Sequence, residues 1–275
     1  MQPVTLFLVF AAVVLAALIF WLFFYRSWRR QRELDTPFPP RWRQLLREQL
    51  PHYAHLNSNQ QYRLEQCVQL FMAEKTFYGC DGFTINDRVR ITIAGHACLL
   101  LLGRSFSHFD DIRSILVYPD VYKVPNRRQD GLVVHQGNDV RAGEAWSAGR
   151  VVLAWTSCEE ASKDRHFPHN VVLHEFAHQL DYLDGMADGA PPLNSELSDD
   201  WPRIMTAAFN NLQQAMYYQQ RPWLDPYGAT EPAEFFAVLT ETFYQQPQHL
   251  QQQQPQVFDL LCRYYRTDPR QFSTR

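Results

Sequence analysis

His174, Glu175, Phe176, Ala177 and His178 form an H-E-x-x-H run. On a helix, residues four apart share one face, so both imidazoles can reach one ion. Glu175 is rotated by about 100° from His174 and can sit beside that ion without filling a ligand position. Two neutral histidines suit zinc, and a free carboxylate next to the metal can take a proton from metal-bound water. The stretch VVLHEFAHQLDYLD reads as one helix, with Asn170 a good N-cap and Gly185 a good stop. Enclosing two histidines and a glutamate among Val172, Leu173, Phe176 and Leu180 is costly unless the polar groups have partners. The structural alternative is a pair of core histidines satisfied by hydrogen bonds alone.

A catalytic zinc usually takes three protein ligands and keeps one position open. Two residues compete for the third. Asp184 lies ten residues after His174, the spacing of an HExxHxxGxxD site. That arrangement needs a glycine where this chain has Asp181, which continues the helix. Glu234 lies one turn into a later helix among Phe235, Phe236, Ala237 and Val238, so its burial demands a partner. Glu234 is the favoured third ligand on these grounds. Glu231 is expected to cap that helix, and Glu241, on the same face as Glu234, to stand behind a ligand. Asp181 is a candidate to orient a histidine ligand or to form a salt bridge. Tyr227, seven residues before Glu234, is placed to donate to an oxyanion, although spacing alone does not single it out.

The elements that must position these groups follow from periodicity. Arg41–Leu50, Asn59–Lys75, Thr84–Leu102, Asp199–Gln219, Pro232–Tyr244 and Pro255–Tyr265 read as helices. Thr84 and Asp87 resemble a capping box, and His96 reads as a packed core histidine. Ile115–Tyr118, Leu132–His135 and Val151–Trp155 are β-rich runs that suggest a small sheet. Val151–Trp155 is the candidate edge for a peptide substrate to extend as an added strand, the alternative being a core strand with no substrate role. The Gln-rich stretch Gln245–Gln256 reads as a solvated connection.

Val4–Tyr25 is free of charge and long enough to cross a bilayer. Arg26, Arg29, Arg30 and Arg32 follow it and no Lys or Arg precedes it. The positive-inside rule therefore puts the C-terminal side in the cytoplasm. A cleaved signal peptide is the alternative. The expected organisation is an anchor with its basic flank at 1–32, a linker at 33–40, and a catalytic domain at 41–275. The expected localisation is the inner membrane, single-pass, with the catalytic domain in the cytoplasm. A net charge of −3 argues against nucleic acid as a partner. Five widely spaced cysteines without a CxxC pair suggest reduced thiols.

Two motifs in combination, HNVVLHEFAHQLDYLDG and YGATEPAEFFAVLTETF, resemble the Mlc titration factor A family of glucose-regulated zinc metallopeptidases. LFMAEKTFYGCDGFTINDRVRITIAGHACLLLLG and SILVYPDVYKVP are similar to that family too, so the resemblance covers roughly 37–268. It implies a gluzincin site in which His174, His178 and Glu234 hold zinc, Glu175 is the general base and Tyr227 stabilises the transition state. It implies an α+β, mostly helical, zincin-like domain with a small sheet, similar to the catalytic core of anthrax lethal factor. It also implies aminopeptidase-like activity on a peptide or protein substrate. Name-giving members bind the repressor Mlc, so the alternative function is a membrane-anchored protein that sequesters a regulatory partner. The apolar segment Val4–Tyr25 departs from the soluble members' pattern.

Overall fold

The computed structural model describes residues 3–120, 126–130, 133–137, 149–163 and 169–272. The chain divides into two compact units, Met1–Pro39 and Pro40–Arg275. The first is essentially one helix, α1 (Pro3–Leu34). It is long and apolar enough to cross a membrane, and Leu8, Phe10, Leu15 and Phe20 are all exposed. The helix continues through Glu33 and Leu34, into what the sequence suggested was linker.

The second unit is mostly helical. Its elements begin with α2 (Pro40–Gln49), α3 (Ser58–Glu74), β1 (Thr76–Gly79), α4 (Asp87–Leu99) and β2 (Ser114–Tyr118). A hairpin, β3 (Asn126–Asp130) and β4 (Val133–Gly137), precedes β5 (Arg150–Ala154). Then come α5 (Trp155–Lys163), α6 (Val171–Asp181), α7 (Asp200–Tyr217), α8 (Pro232–Gln245), α9 (Pro247–Gln253) and α10 (Pro255–Tyr265). The sheet is small and parallel, in the order β1-β2-β5. Ile115 and Val117 on β2, and Val151 and Leu153 on β5, alternate into the core.

Several elements of the second unit differ from those expected. Thr76–Gly79 is a strand; its side chains are mostly exposed, so it carries no apolar alternation. Val133–Gly137 pairs antiparallel with Asn126–Asp130 and does not join the sheet; Leu132 lies outside the described residues. Trp155 opens a helix where a strand end was expected. Asn86 caps α4 by accepting from Val89 N at 3.0 Å, in place of the expected Thr84 box. The Gln-rich stretch contains α9, because Gln is a good helix former. Pro247 occupies its first turn, and Leu250 anchors it in the core.

Helix α6 lies against β5, α4 and α8. Phe176 points into an aromatic cluster with Phe71 at 5.6 Å and Phe109 at 5.0 Å between ring centroids. This cluster fixes the rotation of α6, and so fixes the direction in which His174 and His178 face. All five cysteines are free thiols. Cys67 on α3, Cys98 on α4 and Cys158 on α5 are buried, and burial raises all three thiol pKa values, that of Cys67 to about 11.

Candidate metal centre

The Asn170 side chain accepts from Leu173 N at 3.1 Å and starts α6 one turn before the first histidine. His174 and His178 then project from one face, with their Nε2 atoms 3.1 Å apart. Pro232 starts α8, whose first turn carries Glu234. The Oε2 atom of Glu234 lies 3.0 Å from His174 Nε2 and 3.4 Å from His178 Nε2. Zinc bonds of about 2.0–2.1 Å in a tetrahedron would put neighbouring ligand atoms about 3.3 Å apart. The triangle of 3.0, 3.1 and 3.4 Å matches that spacing, and the two-nitrogen, one-oxygen donor set suits a divalent metal.

Glu241, two turns along α8, lies behind His174. Its Oε1 accepts from His174 Nδ1 at 2.7 Å, and its Oε2 accepts from the backbone N–H of Asn170 at 2.5 Å. Holding the proton on Nδ1 leaves the Nε2 lone pair facing the ligand triangle. Burial pushes the metal-free His174 pKa down, but the hydrogen bonds to Glu234 and Glu241 outweigh it and raise the pKa to about 10. Burial likewise pushes Glu234 up, and its bonds to both histidines win, holding it at about 2. The pKa of His178 is lowered, chiefly by burial. The carboxylates of Glu234 and Glu241 beside the two histidines make a group that could hold a cation.

Glu175 is buried on α6 and acts electrostatically on both His174 and Tyr227. Tyr227 stands on a 3-10 turn (Pro226–Ala229) whose first N–H groups are held by Asp225, which accepts from Tyr227 N at 2.8 Å. Its ring lies 6.0 Å from that of His174, and the two residues line a cleft of about 290 Å³ with Ser157, Glu160 and His169. Burial and the Glu234 carboxylate raise the Tyr227 pKa, so its hydroxyl keeps its proton at neutral pH. Asp225 is a site-building residue the sequence reading overlooked; the Asp-Pro pair is a turn signal that would have marked it.

The other candidates separate clearly. Asp184 is exposed and accepts from Met186 N; its carboxylate is not part of the ligand triangle. Glu231 occupies the N-cap position of α8 but makes no side-chain cap bond, contrary to expectation. His96 is fully buried on α4 and is not part of the triangle either. Asp181 does not take the orienting role, which falls to Glu241. Its Oδ2 accepts from Gly189 N at 2.9 Å, and its Oδ1 has no hydrogen-bond partner among the described residues.

Burial pushes Asp181 up to about 7. The folded state therefore keeps a proton that the unfolded chain gives up near pH 4. The contribution of Asp181 to stability is complete below pH 4, falls as pH rises towards 7, and is flat above. Urea unfolding at pH 4, 5.5 and 7 should show Asp181→Asn gaining on wild type by a few kcal/mol across that window. An unchanged difference at all three values would refute the assignment.

Two helical histidines and a carboxylate from a neighbouring helix, converging on one point, define a candidate metal centre of the HExxH class. The chain matches the family model described as glucose-regulated metallo-peptidase M90 over residues 25–266, and it belongs to that family. It is 39% identical over 246 residues to a Synechocystis protein named "Uncharacterized protein slr2042", covering 88% of this chain and 90% of that one. It is 31% identical over 246 residues to Mlc titration factor A of Klebsiella pneumoniae, covering 88% and 91%. The family suggests a metallopeptidase with a metal cofactor, and His174, His178 and Glu234 form a group able to bind one.

Proposed function

We propose that this protein is a zinc metallopeptidase with a zincin-like catalytic unit of the gluzincin type and aminopeptidase-like activity. The observation that carries the reading is the convergence of His174, His178 and Glu234 at tetrahedral spacing, with Glu175 one residue from the first ligand. Zinc held there supplies a Lewis acid and a water of lowered pKa. His174, His178 and Glu234 are the ligands, and Glu241 fixes the tautomer and direction of His174. Glu175 takes the proton from the attacking water and delivers it to the leaving amine. The Tyr227 hydroxyl donates to the oxygen that gains negative charge at the scissile carbonyl. Among the described residues β5 is the last strand of the sheet, and its outer edge would offer backbone groups for a peptide to pair with. Helix α1 anchors the catalytic unit in the inner membrane, with Arg26, Arg29, Arg30 and Arg32 on the cytoplasmic side.

A second reading is supported by the names of the relatives. Proteins called Mlc titration factor A suggest a role in capturing a regulator, and this chain would then hold a protein partner without cleaving it. The test is zinc content and hydrolysis of a peptide panel, on the full chain in detergent micelles, before and after chelation. One zinc per chain, with activity lost to chelator and restored by zinc, is the expected result. Zinc binding without hydrolysis of any peptide would move the sequestering role ahead, and no zinc would overturn both the site and the mechanism.

A further inference from the structure

The buried polar groups behind His174 do not stop at Glu241. Asn170 joins three neighbours at once. Its backbone N–H donates to Glu241 Oε2 at 2.5 Å, its Oδ1 accepts from Leu173 N at 3.1 Å, and its Nδ2 lies 2.9 Å from His96 Nδ1. The amide orientation is fixed chemically. Leu173 N–H only donates, so the atom facing it is the oxygen, and the atom facing His96 is the NH₂ group. His96 Nδ1 must therefore accept, which requires a neutral ring with its proton on Nε2. A protonated His96 would place two donors against each other. Full burial agrees, pushing His96 down to about 3.

We propose that His96 and Asn170 are positioning residues for the metal centre, acting on His174 through Glu241 by the chain His96–Asn170–Glu241–His174. The inference rests on the zinc-site reading above. His96 stands on α4, Asn170 at the start of α6 and Glu241 on α8, so the chain ties the helix of His174 to two helices packed against it. His96, Asn170 and Glu241 are buried, so the links among them are costly to leave half-made. The acceptor on His96 holds the Asn170 amide plane. That plane aims the Asn170 main chain at Glu241, and Glu241 aims His174.

The experiment uses the full chain in detergent micelles and reads zinc affinity by chelator competition and the visible spectrum of the cobalt(II)-loaded protein. His96→Leu removes the acceptor. His96→Asn keeps one close to the position of Nδ1. Asn170→Ser keeps the helix cap but loses the reach to His96. His96→Leu and Asn170→Ser should each weaken zinc binding about tenfold and shift the cobalt spectrum, and His96→Asn should restore both. The double variant His96→Leu/Asn170→Ser should be no worse than either single one, as expected for two links of one chain.

Wild-type affinity and spectrum in His96→Leu would overturn the proposal while leaving the zinc site intact. Strictly additive losses would do the same. Failure of wild type itself to bind zinc would overturn the site reading and this inference with it. If His96→Leu does not fold, Asn170→Ser decides alone: a tenfold loss supports the chain, and wild-type affinity refutes it.

Discussion

Glu175→Gln should lower peptide hydrolysis by between about 10²- and 10⁴-fold while zinc affinity stays within about threefold of wild type. The two readouts separate because, in the proposed site, Glu175 would serve as the base and not as a ligand. The His174, His178 and Glu234 atoms complete the triangle without it. Glutamine keeps the shape of the side chain but cannot take a proton from water, so the variant removes one chemical step. Under the sequestering reading Glu175→Gln would leave partner capture unaltered. Activity that survives the substitution would remove Glu175 from the mechanism and leave the site without its base.

The second large effect concerns Glu234, the proposed third ligand. Glu234→Ala should weaken zinc by more than about 100-fold, beyond the upper range for loss of an outer partner, and abolish hydrolysis. Asp184→Ala should change neither. Asp184 is exposed and accepts one backbone N–H, so its loss should cost no more than about 0.5 kcal/mol of stability. Equilibrium dialysis against zinc, with circular dichroism to confirm folding, decides between them. Zinc lost in Asp184→Ala and kept in Glu234→Ala would reverse the assignment. Glu234→Gln is a useful companion, since it keeps the side chain's volume and removes only the charge that draws the cation.

Glu234 is legible in the sequence as a candidate, and Asp225 is not. A carboxylate inside the apolar run PAEFFAVL breaks a pattern, and a broken pattern is visible in one dimension. Asp225 lies in a loop where aspartate is ordinary, and its importance comes from the tyrosine it holds two residues later. The link from Asn170 to Glu241 was out of reach for another reason. It uses a backbone N–H, which every residue but proline has, across 71 positions of sequence. Asn170 was legible as a cap and no more. Elements followed the same rule. The long amphipathic helices announce themselves through repeated spacing. Thr76–Gly79 is a strand only because β2 is beside it, and four mostly exposed residues hold no record of that neighbour.

Cys67, Cys98 and Cys158 are distributed one to each of three helices, α3, α4 and α5, and all are shut away from solvent as neutral thiols. Nature has thus supplied three silent reporters whose alkylation requires the surrounding helix to open. Timed labelling with a thiol reagent, read peptide by peptide in a mass spectrometer, would rank these helices by how readily each one breathes. Repeating it with and without metal would map how far a single bound ion stiffens the protein, with no engineered probe.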